Sequence, residues 1–175
     1  MLTRVPHPCA ARVAGGKGVG YMAEQPLQGE REVELHPVVV LSKYFTWASY
    51  MRTQFDKIIP DELATADWND PAGIRMFMFM SFWYATLYTV IEGWRDLKLS
   101  DPEIDNLLKS PNVQMLKLYR HGVYHFQGTY FDKKYMPFMK TPSSVPWVRA
   151  LHKAFFHYLG EWFKTHDLQG MPKTD

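Results

Sequence analysis

A chain of 175 residues, 46% hydrophobic and 22% charged, is long enough to bury one core, too short to expect two domains, and too apolar to be disordered. Its formal net charge of +2 does not announce a nucleic-acid binder, and it does not exclude one, because a cleft needs only a few basic groups. The single cysteine, Cys9, excludes an internal disulfide framework and points to a reducing, cytoplasmic setting.

Residues 1–35 read as a flexible extension, with Pro6, Pro8, Gly15, Gly16, Gly18, Gly20, Pro26 and Gly29 and no apolar period. No secretory signal is expected in it, since Arg4 and Arg12 lead into glycine and lysine rather than an apolar run. The stretch GGKGVG (15–20) is superficially like a phosphate loop. Lys17 is followed by Gly18 rather than Ser or Thr, however, and no strand precedes it.

From His36 the apolar period becomes helical. Val38, Leu41, Phe45, Ala48, Arg52 and Phe55 predict a first long helix to about Ile59, stopped by Pro60. Asp70-Pro71 is an N-cap followed by proline at the first helical position, opening a second helix to about Leu97. This helix contains an uncharged run, Met76 to Ile91, that would span roughly 24 Å. That is short of the ~30 Å hydrocarbon core, so the run reads as a buried central helix and no membrane partner is expected.

Ser100-Asp101-Pro102-Glu103 predicts a short third helix over about 102–109, with Glu103 placed for a capping box. Ser110-Pro111 opens a fourth, with Val113, Leu116, Tyr119 and Val123 on one face. The segment 128–142 has no period and reads as a loop. Ser144 and Pro146 open the last helix, with Val148, Leu151, Phe155, Tyr158 and Trp162 on one face, ending near His166. The expected architecture is all-α: an up-and-down bundle of four to five helices over residues 36–167, followed by a tail at 168–175.

The fourth helix ends in Arg120-His121-Gly122-Val123-Tyr124-His125, behind a long apolar helix that closes on Glu92. This segment and its helical setting resemble the HEPN superfamily, whose signature is Arg, a polar residue, a few further positions, then His. The second position holds His121 where Asn is usual, and Gln127 stands where many catalytic members carry Tyr.

The resemblance implies a metal-independent endoribonuclease without cofactor, homodimeric, with two motifs facing one cleft. It also implies a toxin or phage-defence setting with an antitoxin or other protein partner. Arg120 and His125 would be catalytic, with His121 in the polar second position. Separately from the resemblance, Glu92 at the end of the apolar run is placed to orient Arg120 or His125.

Chemistry explains the residue types. RNA is cut when its own 2′-hydroxyl attacks the neighbouring phosphate, leaving a 2′,3′-cyclic phosphate. Imidazole shuttles protons near neutrality, and guanidinium offers fixed planar donors to the phosphate oxygens. Tyr124, Gln127, Tyr130, Lys133 and Lys134 are candidates to bind the substrate, and Tyr130, Phe131 and Tyr135 could stack bases.

Residues five apart on a helix differ by roughly 140° in azimuth. Arg120 and His125 can therefore converge only if the helix distorts near Gly122 or if a second copy completes the site. Two other readings stand beside the nuclease. One is a catalytically silent module binding RNA or protein. The other is a metal site using His121 and His125 at i, i+4 spacing, with Glu92 or with His157 and Glu161.

Overall fold

The computed structural model describes residues 35–62, 70–129 and 132–166. The expectations for the N-terminal extension, the GGKGVG stretch, Cys9, Tyr130, Phe131 and the 168–175 tail lie outside these residues. Among the described residues the structure is all-helical: α1 Pro37–Glu62, α2 Pro71–Asp96, α3 Pro102–Leu107, α4 Asn112–Tyr124, α5 Met136–Lys140 and α6 Ser144–Thr165.

Helix α1 opens with His36, whose ring Nδ1 accepts the Val38 N–H at 3.2 Å. Its inward face is the one the period predicts: Val38, Leu41, Phe45, Ala48 and Phe55 are buried, while Arg52 is half-exposed. The backbone runs past Pro60 to Glu62 rather than stopping at Ile59. Proline loses its own N–H bond and crowds the carbonyl four residues back, yet the N–H groups after it can still bond, so a last half-turn survives.

Helix α2 begins as its sequence dictates. The Asp70 carboxylate accepts the Gly73 N–H at 2.7 Å, and Pro71 takes the first position, where no bond is lost. It is long and apolar enough to cross a membrane, but half of that apolar window is buried inside the protein. Trp83, Leu87, Ile91 and Trp94 are almost wholly enclosed, which is the burial of a central core helix.

The four long helices alternate in direction. Along α1 and α2, Leu41 lies against Gly93 while Phe55 meets Trp83, so they run antiparallel. Along α4, Arg120 reaches Glu92 while Tyr124 meets Phe82, so it runs against α2. Along α6, Arg149 pairs with Asp56, His152 with Ser49, and the Trp162 ring meets that of His36, so it runs against α1. An aromatic core fills the interior, with Trp83 and Trp94 from α2, Tyr119 from α4, Phe138 from α5 and Phe155 from α6. Burying each such side chain contributes roughly 1.5–3 kcal/mol.

Two local expectations change. The N-cap of α3 is Asp101, which accepts the N–H groups of Glu103 and Ile104 at 2.9 and 3.1 Å. The carboxylate that reaches back to the cap N–H belongs to Asp105, at 3.2 Å, and not to Glu103. Ser100 and Trp94 also donate to Asp105, at 2.6 and 3.2 Å, which fixes its side chain. The segment 128–142 carries the short helix α5 where a loop was expected. One fully buried ring, Phe138, holds this five-residue helix, too short to show a period.

Candidate functional site

Helix α4 ends within the motif. Its last residue is Tyr124, and His125 leaves the helix with extended backbone (φ −121°, ψ 134°) while its N–H still bonds the His121 carbonyl at 3.2 Å. Gly122 stays inside the helix, so the backbone does not break there.

Gly122 is glycine because another side chain lies on it. A Cβ at this position would meet the Tyr135 ring at 3.0 Å. Tyr135 also donates its hydroxyl to the Gly122 carbonyl at 2.6 Å, pinning the turn before α5 onto the end of α4. That turn brings the half-buried Lys134 against Gly122, with the exposed Lys133 beside it in sequence.

The site residues fall into two groups. Arg120 points along α2: its Nη2 lies 3.4 Å from Glu92 Oε2, and its guanidinium carbon lies 6.0 Å from the ring centres of both Tyr88 and Tyr124. Both ends of the ion pair are about one-third exposed, and the Arg120 Nε is buried without a hydrogen-bond partner.

The second group is the histidine pair. The His121 and His125 rings stack at 5.6 Å with 16° between their planes. His125 is exposed and His121 half-buried. The Gln127 amide donates to the His125 carbonyl, tying down the chain after the motif. Tyr124 is 52% and Phe126 99% exposed, so apolar surface flanks the pair.

No bond joins Arg120 to His125 among the described residues. Tyr130 lies outside the described residues. Among the described residues no three of His, Cys, Asp and Glu lie close enough to hold a metal ion. The constellation of His121, His125 and Glu92 with His157 or Glu161 is therefore not assembled.

A second polar cluster, to which no motif points, lies where α1, α2 and α6 meet. His152 is 2% exposed, its Nδ1 accepts the Trp83 indole N–H at 3.1 Å, and its Nε2 lies 3.1 Å from Ser49 Oγ. Burial, aided by the charges of Arg52 and Arg149 and opposed by Asp56, pushes its pKa down to about 3.

A serine hydroxyl beside an imidazole invites a nucleophile–base reading, but the hydrogen-bond network argues against it. Since Trp83 donates to Nδ1, the ring proton sits on Nε2 and is donated to Ser49. The imidazole then has no lone pair with which to take the serine proton. Next to it, Arg149 pairs with Asp56 at 2.6 Å and lies 5.4 Å over the Trp83 ring, closing the seam.

Compared with protein-family models, with curated proteins and with solved structures, the chain matches none.

Proposed function

We propose that the protein is a metal-independent endoribonuclease of HEPN type that works as a homodimer, with Arg120 and His125 as its catalytic residues. The observation that carries this reading is the state of the two groups. His125 offers an exposed imidazole with no hydrogen bond to either ring nitrogen among the described residues. One turn away, Arg120 is held by a single carboxylate contact and keeps an unbonded Nε.

The imidazole passes protons. It takes one from the 2′-hydroxyl as that oxygen attacks phosphorus, or it gives one to the departing 5′-oxygen. The guanidinium binds the phosphate oxygens as charge gathers on them. Glu92 orients Arg120, and Lys133 and Lys134 supply positive charge where the strand approaches. On this reading a second copy completes the site, because residues five apart on a helix differ by roughly 140° in azimuth. The exposed Phe126 and Tyr124 beside the motif are apolar surface of the kind that partners cover.

A labelled RNA incubated in EDTA should be cut to fragments ending in 2′,3′-cyclic phosphate, and Arg120→Ala and His125→Ala should each abolish cutting. One observation favours a second reading, a catalytically silent module that binds RNA or protein: Arg120 is already paired with Glu92. On that reading wild type and both variants leave RNA intact while binding persists. A strictly monomeric wild type that cuts nothing would sink the nuclease assignment.

A further inference from the structure

Between the first turns of α1 and the last turns of α2 lies an open cavity of about 460 Å³, in the size range of small-ligand sites. Val40, Tyr44 and Leu97 give it apolar walls. Its polar groups come from one face of α2, where Thr89, Glu92 and Asp96 follow at i, i+3 and i+7. The Thr89 hydroxyl is turned back to the Ala85 carbonyl at 3.4 Å. The charged side chains lining the cavity are therefore two carboxylates, Glu92 and Asp96.

Glu92 meets Arg120 through Oε2, and Asp96 is exposed and makes no ion pair among the described residues. Lys43, on the neighbouring helix, places its ammonium 4.9 and 5.4 Å from the ring centres of Tyr44 and Trp47 instead of on either carboxylate.

We propose that this cavity binds an ammonium or guanidinium group carried on a short apolar stem. The cation sits against Glu92 and Asp96, and the stem lies along Val40, Tyr44 and Leu97. An anion would be repelled by two carboxylates. A purely apolar ligand would strip them of water and give nothing in return. A bare metal ion lacks a third ligand among the described residues. An amphiphilic cation alone satisfies both kinds of wall. Because Glu92 also holds Arg120, the occupant draws on a carboxylate that positions the other site. Binding itself does not depend on the ribonuclease reading.

The test titrates the full-length protein with hexylammonium chloride and follows backbone amide resonances by NMR, with hexanoate and hexanol as controls. A blocked peptide, acetyl-Leu-Arg-Leu-amide, stands for a protein side chain as the source of the cation. Hexylammonium or the peptide should shift the Thr89, Gly93 and Asp96 amides saturably, while hexanoate leaves them in place.

Asp96→Asn, an exposed change expected to leave thermal melting near wild type, keeps an acceptor but removes the charge, and should weaken cation binding about tenfold. Binding of the peptide alone assigns the site to a protein partner's basic side chain, and binding of the amine assigns it to a free aliphatic amine. The proposal is overturned if neither cation gives a saturable shift, if hexanol binds as tightly as the amine, or if Asp96→Asn binds unchanged.

Discussion

The molecule keeps histidine in two opposite conditions. At the seam of α1, α2 and α6, His152 is enclosed, with one ring nitrogen accepting from Trp83 and the other placed against Ser49. At the end of α4, His121 and His125 lie ring on ring, and His125 faces water. The first arrangement uses up the imidazole's hydrogen-bonding capacity and holds it neutral. The second leaves that capacity open. A histidine can move protons only where something outside the fold can reach it, so the exposed pair is the place to look for chemistry. The enclosed one is the place to look for stability.

The largest expected effect separates the two regions directly. His125→Ala should lower RNA cleavage by about a hundredfold or more, the usual loss of a general acid–base group. Its exposed side chain should leave the melting temperature within a degree or two of wild type. Arg120→Ala should behave in the same way toward activity. If His125→Ala unfolds the protein instead, the contrast drawn above is wrong.

His152→Ala should do the reverse. It empties a buried site and leaves the Trp83 N–H without an acceptor, at a cost of roughly 2–4 kcal/mol in chemical denaturation.

The same residue makes stability depend on pH. Its folded pKa is depressed to about 3, below the value near 6.5 of an unfolded histidine. Between those values the unfolded chain binds one more proton, so the stabilisation is complete above about pH 6.5 and is lost as pH falls toward 3. The slope from this one group approaches about 1.4 kcal/mol per pH unit. Urea midpoints at pH 7 and pH 5 measure it, and His152→Gln should flatten the difference.

The contrast also shows what a sequence can and cannot carry. The helices were legible because caps and periods are local. Asp70-Pro71 announces α2, and Val38, Leu41, Phe45 and Ala48 announce the buried face of α1. The α5 turn was not legible, because Phe138 and Tyr135 hold it through contacts with distant residues.

At the site, the position of Arg120 and His125 at the end of α4 could be read. The contact between Arg120 and Glu92 could only be suspected, since it spans 28 positions and depends on how α4 lies against α2. His152 stands four residues after Val148 and three before Phe155, so its place on the inward face of α6 was legible, unlike that of the exposed His157. Its partners Ser49 and Trp83 lie on two other helices and were not.

A smaller effect tests whether the buried polar contacts belong with the core. Ser81 Oγ and the Tyr119 hydroxyl meet at 2.9 Å in a buried position between α2 and α4. Tyr119→Phe keeps the ring and its packing but deletes the bond, and should cost about 1 kcal/mol. A loss of several kcal/mol would mean that the hydroxyl holds α4 in place, making the end of α4 depend on the core far more than its exposure suggests.

The smallest expected effect concerns the ion pair that links α4 to α2. Glu92→Gln removes the charge facing Arg120 but keeps a side chain of the same size. Both partners are about one-third exposed, so solvent screening leaves the pair worth no more than about 0.5–1 kcal/mol. Denaturation should barely register the change. If Glu92 orients the guanidinium for a phosphate, RNA cleavage should fall while the fold stays intact. If the pair is only a surface contact, cleavage and stability should both stay near wild type. The carboxamide can still accept a bond from Arg120 Nη2, so any loss of cleavage in Glu92→Gln measures the missing charge rather than a missing contact, which Glu92→Ala would not separate.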